Sequence, residues 1–474
     1  MNSENKSLEK FLRSISFLLT FFLLSRVPID ADLWWHLRAG QLMWQKGEIL
    51  LNDVFSYTKL GSNWVNAFWV SEVLLYWIHR IGGYFLLSFF VSLIGAITFL
   101  IVFSSMKGSS LLRSFILILA VITAAPIWGP RPQILSFFLV AFLDLWLNQP
   151  SRHRWLLIPI FALWANIHGG WIWGFLLLIA HIAGLFVNSF FVEDKKKLRT
   201  EGLHLIGWTV LSALAVGINP NGIYIWKLPF QQVNVSLQIQ EWLSPDFHRL
   251  DFHPMLWMLF LLILLAPFAQ KPLQMGQILK TIGFAYLTFV AQRNVALFAI
   301  VAAPLLADWA NNIIQLIPLS LNSPTGSSAL KPAFQKFING FILIILTLTA
   351  LGNLYVITQN SRIDSNYPVN GVAWLREHEP QGKLFNSYNW GGYLLWTLPE
   401  YSVFIDGRAD LYGNEILGQW QDVVNARENA EEILNTWQVN IVFIEPYWDI
   451  VPVLKEKGWH VKYEDKSSII LIRP

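Results

Sequence analysis

The chain has 474 residues, of which 54% are hydrophobic, 15% are aromatic and only 14% are charged. This composition is typical of a polytopic membrane protein, and the absence of cysteine excludes a disulfide framework and thiolate chemistry. The net charge of +3 is unevenly distributed along the chain. Residues 1–358 carry 24 Lys+Arg and 15 Asp+Glu, whereas residues 359–474 carry 10 Lys+Arg and 16 Asp+Glu. The basic residues are spread over short loops, and such a distribution does not indicate nucleic-acid binding.

The long apolar runs stop near residue 357, so we predict a transmembrane domain over 1–358 and a separate α/β domain over 359–474. About eleven transmembrane helices are expected in the first domain, several of them short, tilted or broken. The segments are 11–27, 84–105, 114–129, 132–148, 155–168, 170–191, 203–218, 254–269, 279–292, 295–309 and 337–357.

Segment 68–81 is ambiguous, since it is apolar but carries Glu72 and ends in His79-Arg80-Ile81-Gly82-Gly83. The positive-inside rule favours a helix on the membrane surface. With the N-terminus inside and 68–81 not spanning, twelve basic residues fall in inner loops and four in the outer loops after residue 84. The twelve are Lys107, Arg113, Arg152, Arg154, Lys195, Lys196, Lys197, Arg199, Lys271, Lys280, Lys331 and Lys336, and the four are Arg131, Lys227, Arg249 and Arg293.

This topology predicts a long first outer loop over 28–83 and an extracytoplasmic C-terminal domain. The localisation expected is the plasma (inner) membrane, multi-pass, with a cytoplasmic N-terminus. A cleaved signal peptide is a weaker interpretation of the first segment, because Arg26-Val27-Pro28-Ile29-Asp30 has no small-residue cleavage site.

The outer face then collects most of the unusual polar residues. The most informative stretch is Asp30-Ala31-Asp32-Leu33-Trp34-Trp35-His36-Leu37-Arg38, directly after the first span. Charges at a membrane face are costly and usually functional, although a single Arg or His at a span end is more often a lipid anchor. Asp53, Glu72, Arg131, His168, Glu241 and Arg293 share this face.

Acidic, His and Arg side chains on one face favour a reaction in which a group is transferred from a membrane-bound donor and phosphate is the leaving group. A carboxylate can act as general base for an incoming hydroxyl or amine, while Arg, His or a carboxylate-held divalent ion offsets the charge that grows on phosphate. Asp30 and Asp32 could share Mg2+ or Mn2+ if the loop is not a regular strand. The sequence has no P-loop, no His-Glu-x-x-His and no Gly-x-Ser-x-Gly motif.

With Gly47-Glu48-Ile49, Asn52 to Thr58, Trp64 and Trp69-Val70-Ser71-Glu72, the stretch after the first span resembles the first outer loop of GT-C glycosyltransferases. That superfamily includes protein mannosyltransferases, lipid A aminoarabinose transferases and oligosaccharyltransferase catalytic subunits. The resemblance implies a polyprenyl-phosphate sugar donor entering from the outer leaflet, with Asp30 or Asp32 as the base of an inverting transfer. The acceptor would be an extracytoplasmic lipid, glycan or protein.

A second motif runs from Asn386 to Trp396, followed by Asp406-Gly407-Arg408-Ala409-Asp410-Leu411-Tyr412-Gly413. Its first part is loosely similar to the Trp-Trp-Asp-Tyr-Gly motif of oligosaccharyltransferases, but Asn389 and Gly391 stand where Trp and Asp would be. A bacterial group of GT-C-like membrane proteins matches better, over nearly the whole chain.

In the C-terminal domain we predict helices over 368–379, 391–397, 412–424, 428–437 and 449–457. Strands are expected over 383–386, 402–405, 440–444, 459–464 and 468–472. Gly391-Gly392 could let a helix N-terminus approach a phosphate or acceptor, or could be a plain turn.

Each outer-face residue is assigned a predicted role. The donor phosphate site is predicted from Arg293, His168, Arg131 and Arg38. Contacts to the acceptor, or support for residues that make them, are predicted for His36, Asp53, Glu72, Glu241, Trp390, Asp406 and Arg408.

Two other functions stay open, a transporter or flippase and a non-catalytic GT-C-like scaffold of envelope glycan assembly. A transport path should place ionisable residues in mid-span in two repeated halves. Only Asp144 and Asp308 come close to mid-span, and no internal repeat is apparent.

Overall fold

The computed structural model describes residues 3–149, 153–231, 239–269, 273–316, 332–359 and 365–474. Arg152, Lys271 and Lys331, used in the charge count above, lie outside the described residues, as do residues 360–364 at the predicted domain boundary. In chain order the N-terminal helices are α1 Ser3–Leu23, α2 Leu33–Lys46, α3 Trp69–Ser105, α4 Ser110–Ala124, α5 Gln133–Leu147, α6 Leu157–Ile167, α7 Trp171–Asn188, α8 Lys195–Ala215, α9 Leu228–Gln231, α10 His253–Leu265, α11 Met275–Val290, α12 Val295–Leu316 and α13 Pro332–Ile357.

Each predicted apolar segment contains a helix, but not all of these helices are long. Within the described residues, six helices are long and apolar enough to cross a membrane, and three shorter apolar helices accompany them. The six are Trp69–Ser105, Ser110–Ile127, Trp171–Asn188, Leu250–Phe268, Gln292–Leu316 and Phe334–Ile357. The membrane character is therefore confirmed, whereas the number of about eleven crossings stays a prediction.

Helix α3 is two helices joined at a kink. Gly82 and Gly83 have non-helical backbone angles, and Gly83 has φ +58° and ψ −152°, a conformation that glycine adopts without strain. The kink separates the segment predicted to lie on the membrane surface from the apolar run that begins at Tyr84. The early part of α3 buries Ser71, Glu72 and Leu75.

The C-terminal domain is a four-stranded mixed sheet with helices, as predicted. The strand order is β1-β2-β4-β3, with β1 parallel to β2 and the other two pairings antiparallel. Its strands are β1 Lys383–Asn386, β2 Val439–Ile444, β3 His460–Glu464 and β4 Ile469–Ile472, and its helices are α14 Val369–His378, α15 Gly391–Thr397, α16 Ala409–Val424, α17 Ala430–Thr436 and α18 Ile450–Glu456.

From Ile441 to Ile444 the side chains of β2 alternate between two cores, as the period of a strand requires. Val442 and Ile444 join the core under α16, α17 and α18, together with Val439 at the start of the strand, where the pairing with β1 has a register shift. Ile441 and Phe443 join a second core that includes Trp34, Trp35, Phe55 and Trp64 from the first outer loop. The loop assigned to the transmembrane domain by chain position therefore shares a hydrophobic core with the C-terminal domain.

The strand predicted over 402–405 is wrong. Val403 forms a single bridge with Ser56, accepting from the Tyr57 N–H at 3.2 Å and donating to the Phe55 carbonyl at 3.2 Å. The Phe404 N–H donates to the Asn386 side chain at 2.8 Å. The segment is extended, but its backbone partners are a distant loop and a side chain rather than a neighbouring strand.

Candidate active site

Asp30 and Asp32 occupy a tight turn between α1 and α2. The Asp32 N–H donates to Asp30 Oδ1 at 2.9 Å, and the Leu33 N–H donates to the Asp30 carbonyl at 3.2 Å. Asp32 has helical backbone angles, and its side chain makes no capping hydrogen bond to α2. The two carboxylates are therefore not forced apart by strand geometry, and both contact Arg131. We call residues 30–32 the acidic turn.

The guanidinium of Arg131, in the turn before α5, binds three carboxylates. Arg131 Nε donates to Asp30 Oδ2, Nη2 donates to Glu241 Oε1, and Nη1 lies 2.7 Å from Glu241 Oε2. The contact with Asp32 is longer, since Nη1 lies 3.3 Å from Asp32 Oδ2. Asp30 and Glu241 thus form the close pairs, and Asp32 is the least firmly bound of the three acids.

Burial and nearby charges shift the pKa values of these three acids differently. Burial raises the pKa of Asp32 to about 7, against the opposing charge of Arg131 and with a further increase from Asp30. Burial also raises the pKa of Asp30, whereas for Glu241 the charge and hydrogen bonds of Arg131 outweigh burial and lower the pKa. A pKa of about 7 is in the range that suits a general base at neutral pH.

Asp32 opens onto a cavity of about 480 Å3 between the acidic turn and the C-terminal domain. We call it the polar cavity. Of the residues predicted for a site, six line it: Asp32, His36, Arg131, His168, Glu241 and Arg293. The C-terminal domain contributes Tyr388, Asn389, Gly407, Ala409, Asp410 and Trp420.

Arg293 presents a cation to this cavity. Its guanidinium lies 4.6 Å from the ring centre of Trp242, which also lines the cavity. Within the described residues, no carboxylate lies within ion-pair distance of Arg293, in contrast to Arg131. An anion that entered the cavity could pair with Arg293 without displacing a protein carboxylate.

The hydrogen bonds of His168 define its tautomer. Trp164 Nε1 donates to Ser136 Oγ at 2.7 Å, so the Ser136 hydroxyl is free to donate to His168 Nδ1 at 2.8 Å. The Gly170 N–H also donates to Nδ1 at 2.8 Å. Because Nδ1 accepts the Gly170 N–H, it carries no proton itself. We therefore assign the remaining proton to Nε2, where it can serve a ligand in the polar cavity.

Asp30 belongs to a second cavity of about 590 Å3, on the other side of the acidic turn. We call it the apolar cavity, because most of its lining comes from hydrophobic residues at the ends of α1, α4 and α10. They include Val27, Ile29, Ile122, Ala125, Pro126, Trp128, Leu250 and Pro254, with Arg26 and Asp251 among them. The acidic turn thus lies between two cavities.

Seven of the predicted site residues do not line the polar cavity, and one of them, Asp30, lines the apolar cavity instead. Arg38 donates to Gln41 Oε1 at 2.7 Å, and Trp390 packs in the core against Phe443. Glu72 is fully buried and lies 3.0 Å from His36 Nδ1. The other three are Asp53, Asp406 and Arg408, which form a buried ion-pair network.

The divalent-ion role of Asp30 and Asp32 stays a prediction. Within the described residues, no group of three or more His, Asp or Glu side chains is arranged to hold a metal. Both carboxylates face Arg131, whose charge takes the place that a cation would occupy.

Sequence reasoning missed the aromatic and polar residues that the C-terminal domain adds. Tyr388, Asn389 and Asp410 lie within the second motif, but nothing in that motif showed that they face the acidic turn. Trp420, near the C-terminal end of α16, was also missed, as was Trp242 outside this domain. No local pattern distinguishes these two residues from ordinary core or interfacial aromatic residues.

Arg408 ties the first outer loop to the C-terminal domain. Its Nε and Nη2 donate to Asp406 at 2.9 and 2.6 Å, and its Nη1 lies 2.7 Å from Asp53 Oδ1, although not aligned for a hydrogen bond. The guanidinium also lies 4.9 Å from the Phe55 ring centre and 4.8 Å from that of Trp64. All three ionic side chains are buried.

Arg408→Met is therefore expected to destabilise the C-terminal domain strongly. Removing the cation leaves two buried carboxylates without a counter-ion, a loss of about 3–5 kcal/mol for a buried pair. The melting temperature of the purified protein and its sensitivity to protease measure the effect. Arg376→Met is the control, because Arg376 is exposed and makes one hydrogen bond to the Thr397 carbonyl. Equal melting of both variants would contradict a structural role for Arg408.

The fold is similar to two solved glycosyltransferases. The archaeal oligosaccharyltransferase AglB from Archaeoglobus fulgidus, in complex with an inhibitory peptide and a dolichol-phosphate, matches all of this chain and 75% of its own chain, with a TM-score of 0.60 and 13% identity. ArnT from Cupriavidus metallidurans in the apo state matches 99% of this chain and 98% of its own, with a TM-score of 0.55 and 12% identity.

No family model and no curated protein matches the sequence. The structural neighbours are both GT-C glycosyltransferases, so the resemblance inferred from the first outer loop is confirmed at the level of the fold.

Proposed function

We propose that the protein is an inverting membrane glycosyltransferase that moves a sugar from a polyprenyl-phosphate donor to an extracytoplasmic acceptor. The observation that carries this proposal is the presence, in one cavity, of a carboxylate whose pKa is raised to about 7 and a cation with no carboxylate within ion-pair distance among the described residues. Asp32 is that carboxylate and Arg293 is that cation.

In this mechanism Asp32 takes the proton of the acceptor hydroxyl or amine as that atom attacks the anomeric carbon. The bond between that carbon and the phosphate oxygen breaks, and the leaving phosphate keeps the electron pair. The positive charge of Arg293 and the Nε2–H of His168 stabilise the negative charge that develops. Displacement in one step with one base inverts the anomeric carbon.

Arg131 has a different part in this proposal from the phosphate site predicted for it. Its guanidinium is already surrounded by Asp30, Asp32 and Glu241, so a phosphate there would have to displace a carboxylate. We propose that Arg131 holds the acidic turn and keeps Asp32 partly paired. Arg293 and His168 then remain as the phosphate-binding groups.

The lipid character of the donor is supported by two observations. AglB was solved with a dolichol-phosphate, a lipid phosphate, on the same fold. In the present chain the apolar cavity adjoins Asp30 and lies at the ends of apolar helices, where a lipid chain can approach from the bilayer. The proposed orientation places both cavities and the C-terminal domain outside the cytoplasm.

Deletion of the gene is expected to change envelope glycans and to accumulate the lipid-linked sugar that the protein consumes. Comparing extracted lipid-linked sugars and envelope glycans of deletion and parent strains measures this. Reintroducing the Asp32→Asn variant separates the hypotheses, because a scaffold would restore the parent pattern and an enzyme would not. If the protein were a transporter, its deletion would leave lipid-linked sugar on the cytoplasmic leaflet. If it is a transferase, its deletion leaves the lipid-linked sugar on the outer leaflet.

A further inference from the structure

The C-terminal domain touches the acidic turn through two glycines. A Cβ atom on Gly407 would overlap Asp32 Oδ1 and would lie 3.1 Å from Trp35 Nε1. A Cβ atom on Gly392 would lie 2.7 Å from the Ala31 carbonyl oxygen. Contacts this short leave no room for a side chain, so the backbone itself forms the surface on which the turn rests.

The two glycines stand on rigid parts of the C-terminal domain. Gly407 lies between Asp406 and Arg408, whose side chains are buried and joined by two hydrogen bonds. Gly392 is in the first turn of α15, next to Gly391. A Cβ atom on Gly391 would overlap the Ile405 carbonyl oxygen. The surface under the acidic turn is therefore held in place independently of the turn.

The first outer loop is anchored to the same domain on either side of the turn. The Tyr367 hydroxyl donates to the Ile29 carbonyl at 2.7 Å, and the Thr58 hydroxyl donates to the Phe404 carbonyl at 2.6 Å. Trp34, directly after the turn, is fully buried and packs edge-on against Tyr367 and Tyr393. The turn cannot move away from the two glycines without breaking these contacts.

Asp32 is consequently confined from two sides. Its Oδ1 accepts from Trp35 Nε1 at 3.1 Å and faces Gly407, while its Oδ2 faces Arg131 at 3.3 Å. Rotating the carboxylate would drive one oxygen into the Gly407 backbone or remove the other from the guanidinium. The C-terminal domain thus selects one orientation of the carboxylate.

We propose that Gly407 and Gly392 form a glycine seat for the acidic turn, and that Gly407 is a positioning residue for Asp32. The positioning role rests on the proposed function, whereas the seat itself is a structural claim. The seat also explains the second sequence motif without a role in acceptor recognition. Its glycines permit close backbone approach, and of the segment Asn389–Gly392 only Asn389 lines the polar cavity.

Amide hydrogen exchange tests the seat without requiring any substrate. In Gly407→Ala, residues 30–36 are expected to exchange about 10-fold faster than in the parent, because overpacking at a tight contact destabilises the local structure. Gly418→Ala is the matched control in the same domain, since a Cβ atom there meets nothing within 4 Å. Unchanged exchange of residues 30–36 in Gly407→Ala would overturn the seat.

A fold control separates the seat from general damage to the C-terminal domain. Gly391→Ala overlaps the domain's own backbone at Ile405, so it is expected to accelerate exchange in the sheet as well as in the turn. Gly407→Ala should leave the exchange of β2 unchanged. If Gly407→Ala does not accumulate, Gly392→Ala carries the same test through its contact with Ala31. Exchange that accelerates equally everywhere in either seat variant would contradict a local role.

Activity and binding then test positioning. Gly407→Ala is expected to change the binding of a polyprenyl phosphate much less than transfer, because Gly407 lines the polar cavity but Arg293 and His168 are untouched. Its transfer rate should fall about 10²-fold, the effect of misplacing a reacting group by roughly 1 Å. Faster exchange of residues 30–36 with unchanged transfer would overturn positioning and keep the seat. A parent protein that neither binds the lipid nor transfers sugar would refute the proposed function, while the exchange result would still decide the seat.

Discussion

Replacing Asp32 with Asn is expected to lower the transfer rate by about 10²–10⁴-fold, the usual contribution of a general base. The amide keeps the size and part of the hydrogen bonding of the carboxylate but cannot accept the acceptor's proton. Donor binding should change little, because Arg293 and His168 remain. Initial rates with saturating donor, together with the affinity for the donor lipid, measure the two effects separately.

The pH dependence of the parent rate provides a second readout. Burial raises the pKa of Asp32 to about 7, and a base must be ionised to act. The transfer rate should therefore rise as pH increases through about 7 and become constant above it, while the residual rate of Asp32→Asn should lack this rise.

Asp30→Asn serves as the comparison for Asp32→Asn. Asp30 is bound closely by Arg131 and lies toward the apolar cavity, so its loss should disturb the turn and reduce the rate less than loss of Asp32. Full transfer by both Asn variants would exclude the acidic turn as the source of the base. A larger loss with Asp30→Asn would move the base to that residue.

Replacing Arg293 with Ala is expected to weaken donor binding by about 10- to 100-fold. Hydrogen bonds to a charged group contribute roughly 1.5–3 kcal/mol each, and the phosphate would lose its principal cation. Arg293→Lys should retain the charge but lose the paired, planar donors, so its affinity should fall between those of the parent and Arg293→Ala. Binding of a polyprenyl phosphate to purified protein measures all three.

Arg249→Ala is the control for a general loss of positive charge on this face. Arg249 pairs with Asp251 and is exposed, so its removal should leave lipid binding unchanged. Arg293 could instead be a lipid-headgroup anchor, for which Lys would serve nearly as well. Unchanged affinity in both Arg293 variants would support the anchor and leave His168 or Arg131 as the phosphate-binding candidates.

The sequence alone predicted the parts of this protein that depend on local pattern. Long apolar runs predicted a helix in each apolar segment, and short apolar runs between helices placed β1 and β2 within a residue of their observed ends. Charge asymmetry separated segment 68–81 from the following span, where the structure has a kink at Gly82 and Gly83. These features are encoded by neighbours in the chain, because helical and strand periodicity repeats every few residues.

The sequence was less informative wherever a partner lies far along the chain. The extended segment at 402–405 looked like a strand, but its partner is residue 56, about 350 positions earlier. Arg38 is a different case, because it was predicted to bind phosphate from its closeness to the acidic turn in sequence, yet its side chain hydrogen-bonds to Gln41 on the same helix. Closeness in sequence to a site does not bring a side chain into it, because the direction in which a side chain points depends on packing.

The composition of the candidate active site depends on the tertiary structure. The sequence identified an outer face with acids, His and Arg, but not which of them would meet. Arg131 joins acids that are 101 and 110 positions away, and among the described residues this pairing leaves Arg293 without a carboxylate at ion-pair distance. Burial then raises the pKa of Asp32, an effect of the low-dielectric surroundings that no single sequence position carries. The sequence therefore identifies the candidate chemical groups. The long-range contacts between the first outer loop, the helix ends and the C-terminal domain determine which of these groups meet.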